Sequence, residues 1–372
     1  MNVLHLINSG GYYGAENVVI ALAESLERQD CRSTIGVFHN EHQQNEELTR
    51  QAEKRGLSVQ QIACRGRWDR QAIRAIRETI ESRNIDVLHT HGYKPDIYGF
   101  LAARGLGIPI VATCHLWTRQ TVAVRFYDFL GSLFLRRFDA VVAVSDVIAK
   151  SLRHSGIRES KISVIDNGID LPRFSQASPT LAGKIDKGQK LVVGTVGRLV
   201  EQKGLAYFLR AAREVLLDFP NAIFVVVGDG PDREKLEDLT KELAIERSVL
   251  FTGQCADMPG AYASMDVFVL ASIDEGMPMA VLEALGSRKP VVATSVGAVP
   301  RLIIPEKTGL LVAPRDVQAL KMAILKLLGD PSLRSQLGDA GKELVERGHS
   351  HELMAQNYLH LYRQMSAQMV RA

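Results

Sequence analysis

The sequence predicts two α/β domains, each a doubly wound parallel sheet, and three observations carry that reading. Short Val- and Ile-rich segments recur along the whole chain with amphipathic stretches between them. A polar stretch of low periodicity interrupts the alternation near the middle. The 372 residues also exceed what one hydrophobic core ordinarily supports.

In the first half the strand-like segments are Val3–Ile7, Thr34–Phe38, Val87–Leu88 running into His89, Ile108–Ala112, Ala140–Val144 and Ile162–Ile165. In the second they are Leu191–Val196, Ile223–Val227, Val249–Phe251, Val267–Leu270, Val291–Ala293 and Leu310–Val312. Their length and scarce polar alternation suit strands buried on both faces. Ala15–Arg28, Gln71–Ser82, Leu205–Leu217 and Arg233–Leu243 read as helices between them. Asn167-Gly168 through Pro172 closes the first series with turn chemistry, and Ser175–Gln189 is polar with Pro179, Gly183 and Gly188. The predicted organisation is therefore an N-terminal domain over 1–172, a linker over 173–189 and a C-terminal domain over 190–348. A closing helical segment over 349–372 carries Leu353, Met354, Tyr358, Leu361 and Tyr362, spaced to pack back toward the N-terminal domain.

Composition narrows the function. The chain is 46% hydrophobic and 23% charged, without the eighteen-residue apolar run that a spanning helix needs. The first residues read as a buried strand and not as a secretory signal. A formal charge of +3 gives no electrostatic ground for a nucleic-acid partner. Cys31, Cys64, Cys114 and Cys255 lie far apart, the pattern of reduced thiols in a cytoplasmic protein. No metal site or cofactor is expected.

Open α/β sheets place ligands at the carboxyl ends of their strands, and the motifs fall there. Gly194 to Leu199 followed by Glu201-Gln202-Lys203-Gly204 ends a strand, sets Arg198 and Lys203 on a loop and opens a helix. Arg offers a planar fork and Lys a point charge, and a helix N-terminus adds roughly half a positive charge. The set suits a diphosphate; a solvated basic loop explains the segment about as well. Val227 to Pro231 repeats strand, glycine turn and helix, with Pro231 suited to the first helical position. In Ser272 to Ala284, Pro278 opens a helix, which leaves Glu275 in the loop and Glu283 in the second helical turn. Two such carboxylates can accept hydroxyls at two points along one ligand, and the N–H groups of Gly276, Met277 and Met279 can face a phosphate between them.

The chain resembles the retaining glycosyltransferases of family 4, which have the GT-B fold of two Rossmann-like domains facing across a cleft. The resemblance rests on GRLVEQKG (197–204), VVVGDGPDREKLE (225–237), VLFTG (249–253), DEGMPMAVLEALGSRKPVVATSVGAVP (274–300) and TGLLV (308–312). In the N-terminal half it rests on SGGYYGAENVVIALAESL (9–26), IDVLHTHG (85–92), VATCH (111–115), VAVS (142–145) and VIDNGIDLPRF (164–174). The resemblance implies that Arg198 and Lys203 bind the diphosphate of a nucleotide-sugar, Glu283 the ribose hydroxyls and Glu275 the donor sugar. It implies that Gly197, Gly276, Met277, Pro278 and Met279 complete the sugar–phosphate site, and that Gly228 and the residues around Thr252 border the base. Gly11 and Gly14 would let the backbone approach the phosphate, and His115 would face the reacting sugar. Where the family often has two glycines followed by Pro-Glu, this sequence has Gly297-Ala298-Val299-Pro300-Arg301. A third acidic donor contact is therefore not assigned. Arg288-Lys289 replace a small turn.

A sugar transferred to a saccharide or lipid-linked acceptor, in cell-envelope polysaccharide or glycolipid synthesis, is what the resemblance implies. Another GT-B reaction, nucleotide-sugar epimerisation or hydrolysis, and a non-catalytic nucleotide-sugar-binding protein are the alternatives. The segment Arg125 to Arg137 combines apolar bulk with terminal arginines, as a peripheral membrane helix would. An ordinary half-buried helix with a basic end accounts for it about twice as readily. Trp117, Tyr12 and Tyr13 offer stacking surfaces for sugars.

Overall fold

The computed structural model describes residues 1–8, 14–39, 46–66, 68–115, 133–181, 183 and 190–371. The chain divides into two compact units, one comprising Met1–Gly168 with His351–Ala372 and the other Ile169–Ser350.

The first unit is built on β1 (Asn2–Ile7), β2 (Arg32–His39), β3 (Ser58–Ala63), β4 (Val87–His91), β5 (Ile110–Cys114), β6 (Ala140–Ala143) and β7 (Ile162–Val164). They form one parallel sheet in the order β3-β2-β1-β4-β5-β6-β7. The order reverses between β1 and β4, the switch point of a doubly wound sheet. β3 is the strand that hydrophobic patterning misses. Its sequence SVQQIA buries Ile62 alone because it lies at the sheet edge, where polar residues meet water.

The closing helix His351–Arg371 belongs to this unit and packs against the helix Gly14–Glu27. Met354, Ala355, Tyr358, Leu359, Leu361 and Tyr362 are buried. Leu353, expected on that face, lies exposed instead, and Ala355 and Leu359 take its place. Tyr362 Oη pairs with His89 Nδ1 at 2.7 Å, and Tyr358 Oη with Thr113 Oγ1 at 2.9 Å. Burying a large apolar side chain contributes roughly 1.5–3 kcal/mol, while one hydrogen bond nets about 0.5–1.5 kcal/mol. Apolar burial therefore docks the helix, and the two hydroxyls fix its register on β4 and β5.

The second unit is built on β8 (Leu191–Val196), β9 (Ala222–Val227), β10 (Val249–Gly253), β11 (Val267–Leu270), β12 (Val291–Thr294) and β13 (Leu310–Val312). These pair in parallel in the order β10-β9-β8-β11-β12-β13, reversing between β8 and β11. Each unit is thus the doubly wound parallel domain that the sequence predicts. Part of the stretch read as a linker is packed on this second unit. Asp170 caps the short helix Leu171–Ser175, Phe174 stands edge-on to Tyr262 at 5.9 Å, and Leu181 N–H donates to Ser264 Oγ. The four cysteines are free thiols. Arg288 and Lys289 do more than line a surface turn: Arg288 pairs with Asp339, and Lys289 Nζ donates to the Ala263 carbonyl at 3.0 Å.

Tyr362→Phe leaves His89 Nδ1 without its buried partner and should destabilise the first unit by about 1–3 kcal/mol. Chemical unfolding followed by tryptophan-independent far-UV dichroism reads this; an unchanged midpoint would show that the hydroxyl does not hold the helix.

Candidate active site

Backbone bonds between loops create the arrangement in the second unit. After β8 the chain passes Gly197 and Arg198 into the 3₁₀ turn Glu201–Lys203, then the helix Leu205–Asp218. Gly204 separates turn from helix at φ 61°, and a Cβ there would strike the Ala271 carbonyl at the end of β11. Only glycine serves both requirements. Ile273 N–H donates to the Gln202 carbonyl at 2.8 Å, and Gln202 Nε2 to the Asp274 carbonyl at 3.0 Å. From the other side Gly297, φ 51°, abuts the Glu275 carbonyl, and Ala298 N–H donates to the Gly276 carbonyl at 3.1 Å. Three strand-end loops are thereby sewn around residues 272–276.

Lys203 and Glu275 meet inside this seam. Lys203 Nζ lies 2.7 Å from Glu275 Oε1, which also accepts from Ser272 Oγ at 2.6 Å. The Glu275 side chain is 7% exposed and that of Lys203 24%. Exposed pairs contribute about 0–1 kcal/mol, whereas breaking a buried pair costs about 3–5 kcal/mol; this half-buried pair falls between those limits. Arg198 lies exposed on the loop just upstream.

Gly276, Met277 and Pro278 are buried, and Pro278 is the N-cap of the helix Met279–Gly286. The first-turn N–H groups of such a helix have no intrahelical acceptor. Glu283 stands in its second turn, as the sequence suggests, and accepts from Tyr262 Oη at 2.7 Å. Burial lifts its carboxyl to about 7, against the Tyr262 hydrogen bond and the Arg173 charge. Gly197 N–H donates to the Val227 carbonyl and Gly228 N–H to the Gly253 carbonyl, each at 3.0 Å. Thr252 is half-buried with its hydroxyl on the Gly253 carbonyl. The helix after the Gly228 turn begins at Arg233, so Pro231 precedes it and does not open it. Arg301 is exposed on the short helix Val299–Leu302.

Two of the described site residues belong to the first unit. Gly14 begins the helix Gly14–Glu27. His115 follows β5 directly, and its Nε2 is 3.2 Å from His91 Nδ1. Gly11, Tyr12, Tyr13, Trp117 and the apolar part of 125–132 lie outside the described residues. Sequence reasoning missed the groups behind His115. Register sets His5 beside His89 across β1 and β4, and His91 beside Thr113 across β4 and β5. His5 Nδ1 is 3.4 Å from His91 Nε2, and His89 Nε2 is 2.7 Å from Thr113 Oγ1. Burial drives His5 down to about 3 and His115 to about 4, with His89 and His91 also well below the ordinary imidazole range. Among the described residues His5, His89 and His91 bring ring nitrogens within 4.8 Å, a spacing open to a metal ion. His89, however, already engages Tyr362 and Thr113 through its two nitrogens. The alternation of His in LHTH was the available signal. Tyr262 had none, because its partner Glu283 is a packing neighbour and not a sequence neighbour.

The model for glycosyl transferases group 1 matches residues 180–344, and that for glycosyltransferase family 4 matches residues 12–173. The chain is 30% identical over 296 residues to the UDP-Gal:alpha-D-GlcNAc-diphosphoundecaprenol alpha-1,3-galactosyltransferase of Escherichia coli, covering 74% of this chain and 75% of that one. It is 32% identical over 262 residues to the GDP-mannose-dependent alpha-(1-6)-phosphatidylinositol monomannoside mannosyltransferase of Mycolicibacterium smegmatis, covering 66% of this chain and 68% of that one. The crystal structure of Anabaena HepE in complex with UDP and glucose superposes with a TM-score of 0.87 at 21% identity, over 97% of this chain and 99% of that one.

The raised value at Glu283 has a defined consequence for stability. The fold favours the protonated acid, so its contribution is full below the ordinary 4.5 and is lost as pH climbs through about 7. Glu283→Gln should flatten the fall in thermal midpoint between about pH 5 and 8 relative to the parent. Asp96, also lifted to about 7 by burial in the first unit, adds a parallel dependence that the substitution leaves intact. Identical slopes in parent and variant would mean that Glu283 ionises as an ordinary surface carboxylate.

Proposed function

The chain belongs to the glycosyltransferases of family 4, with the GT-B fold, and on that premise we propose how it holds its donor and where it delivers the sugar. Arg198 and Lys203 bind the diphosphate of a nucleotide-sugar, Glu283 the ribose hydroxyls and Glu275 the hydroxyls of the sugar. The N–H groups of Gly276, Met277 and Met279 complete the phosphate site, with Pro278 shaping the turn. Gly197 and Gly228 leave room for the nucleotide, and Thr252 borders the base. Gly14, with Gly11, lets backbone approach the substrate, and His115 offers a hydrogen bond to a reacting oxygen.

One observation supports this most directly: the 2.7 Å contact of Lys203 with Glu275. A sugar–phosphate linkage needs its cation and its hydroxyl acceptor side by side, because the anomeric carbon and the phosphorus are separated by a single oxygen. As that bond breaks, negative charge gathers on the leaving phosphate, where fixed cations and helix N–H groups stabilise it most. The family retains anomeric configuration. In the proposed route the leaving phosphate takes the acceptor's proton on the same face, which asks for no carboxylate base. Neither a metal nor another cofactor enters the scheme, since Arg198 and Lys203 carry the positive charge.

The donor is a UDP-hexose in this reading, in line with the Escherichia coli relative's name and the UDP in the HepE complex. The acceptor is a lipid-linked saccharide or glycolipid of the cell envelope, the kind of substrate both relatives are named for. Among the described residues no helix is long and apolar enough to cross a membrane. We place the reaction in the cytoplasm, with peripheral attachment to the inner face of the membrane.

A thermal-shift panel of UDP-, GDP- and ADP-sugars should single out the UDP-sugar, and Glu283→Ala should abolish that stabilisation. Equal stabilisation of parent and variant would sink the ribose assignment. Arg198→Ala and Lys203→Ala should each lower kcat by about 10²–10³ in a UDP-release assay with acceptor.

A further inference from the structure

We propose that His91, backed by His5, is a positioning residue that fixes His115 in the tautomer bearing its hydrogen on Nδ1, so that His115 meets substrate as a hydrogen-bond donor. The proposal rests on the reading above in one respect, that His115 touches substrate.

His5, His91 and His115 form a chain in which His5 Nδ1 faces His91 Nε2 at 3.4 Å and His91 Nδ1 faces His115 Nε2 at 3.2 Å. Burial keeps all three rings neutral at ordinary pH, so each carries one ring hydrogen. The two N···N contacts use two of the three. The third must sit at one end, on His5 Nε2 or on His115 Nδ1.

The two ends are not equivalent. His5 is fully buried, and its Nε2 has no hydrogen-bond partner among the described residues. A hydrogen placed there would be an orphaned buried N–H, which folded proteins avoid more strictly than an unused lone pair. His115 is only half-buried, at the carboxyl end of β5. The hydrogens therefore run one way: from His5 Nδ1 to His91 Nε2, and from His91 Nδ1 to His115 Nε2. The last lies on His115 Nδ1, at the carboxyl end of β5, as a donor for an oxygen. His89 does not feed this chain although its ring packs 4.1 Å from that of His91, because its own nitrogens are engaged by Tyr362 and Thr113.

The polarity has a chemical meaning. The nitrogen that His115 presents already carries its hydrogen and cannot receive a proton, so His115 supplies a hydrogen bond and not general-base catalysis. That complements a route in which the leaving phosphate takes the acceptor's proton.

Long-range ¹H–¹⁵N correlation of the full chain with ¹⁵N-labelled histidine reads the tautomer of each ring, with the His115 signals assigned by their loss in His115→Asn. The parent should show His115 protonated on Nδ1 alone. His91→Phe should move His115 toward the Nε2–H form and lower kcat by about 10–100-fold with the donor KM nearly unchanged. His91→Asn, whose amide stands near the imidazole Nδ1, should restore both. Protonation on Nε2 in the parent, or a tautomer that His91→Phe leaves unchanged, would overturn the proposal. The parent spectrum decides the first point even if His91→Phe fails to fold. If His115→Ala turns over normally while the tautomers behave as stated, the substrate contact fails and the tautomer assignment stands.

Discussion

Lys203 and Glu275 face each other at 2.7 Å where the loops after β8 and β11 converge, and the surrounding backbone is arranged to keep them there. Removing a carboxylate from water is costly unless hydrogen bonds replace the solvent. Here Ser272 Oγ and Lys203 Nζ supply them, both to Oε1. Gly204 and Gly297 press the neighbouring loops onto the carbonyls of Ala271 and Glu275, and the Gln202 bonds prevent the seam from opening. The pair is therefore a product of loop geometry that rigid strand ends impose. Positioned charges of this kind cost no reorganisation when a reaction needs them.

The first unit solves a different problem with the same materials. Its sheet carries His5, His89, His91 and Thr113 on adjacent strands, polar groups that cost free energy wherever a buried sheet face leaves them unpaired. The closing helix answers this with Tyr358 and Tyr362, each buried and each placing a hydroxyl on that row. A helix remote in sequence is thus tied to the layer that supports His115. Packing supplies the bulk of the docking energy, and the hydroxyl contacts supply its register.

Much of this was legible in the residues. Val- and Ile-rich runs marked twelve of the strands, and Pro278 placed Glu275 on a loop and Glu283 on a helix. β3 was not legible because an edge strand has no need of apolar alternation, and SVQQIA has almost none. The Lys203–Glu275 contact was only half legible: the motifs named both residues as donor ligands, but nothing in the spacing said that they pair with each other. The histidine chain was hidden for a deeper reason. His5 and His91 come together only through sheet register, which no local pattern encodes. Leu353 was misplaced by a single helical step, since spacing gives a face of the helix but not its rotation against the sheet.

A crystal structure of the full chain with a nucleoside diphosphate would show how these residues hold the donor. It should place Lys203 Nζ and the Arg198 guanidinium on the distal phosphate and both ribose hydroxyls on the Glu283 carboxylate, with Glu275 left facing the space a sugar would fill. A nucleotide bound away from Glu283, or a phosphate that leaves Lys203 untouched, would contradict it.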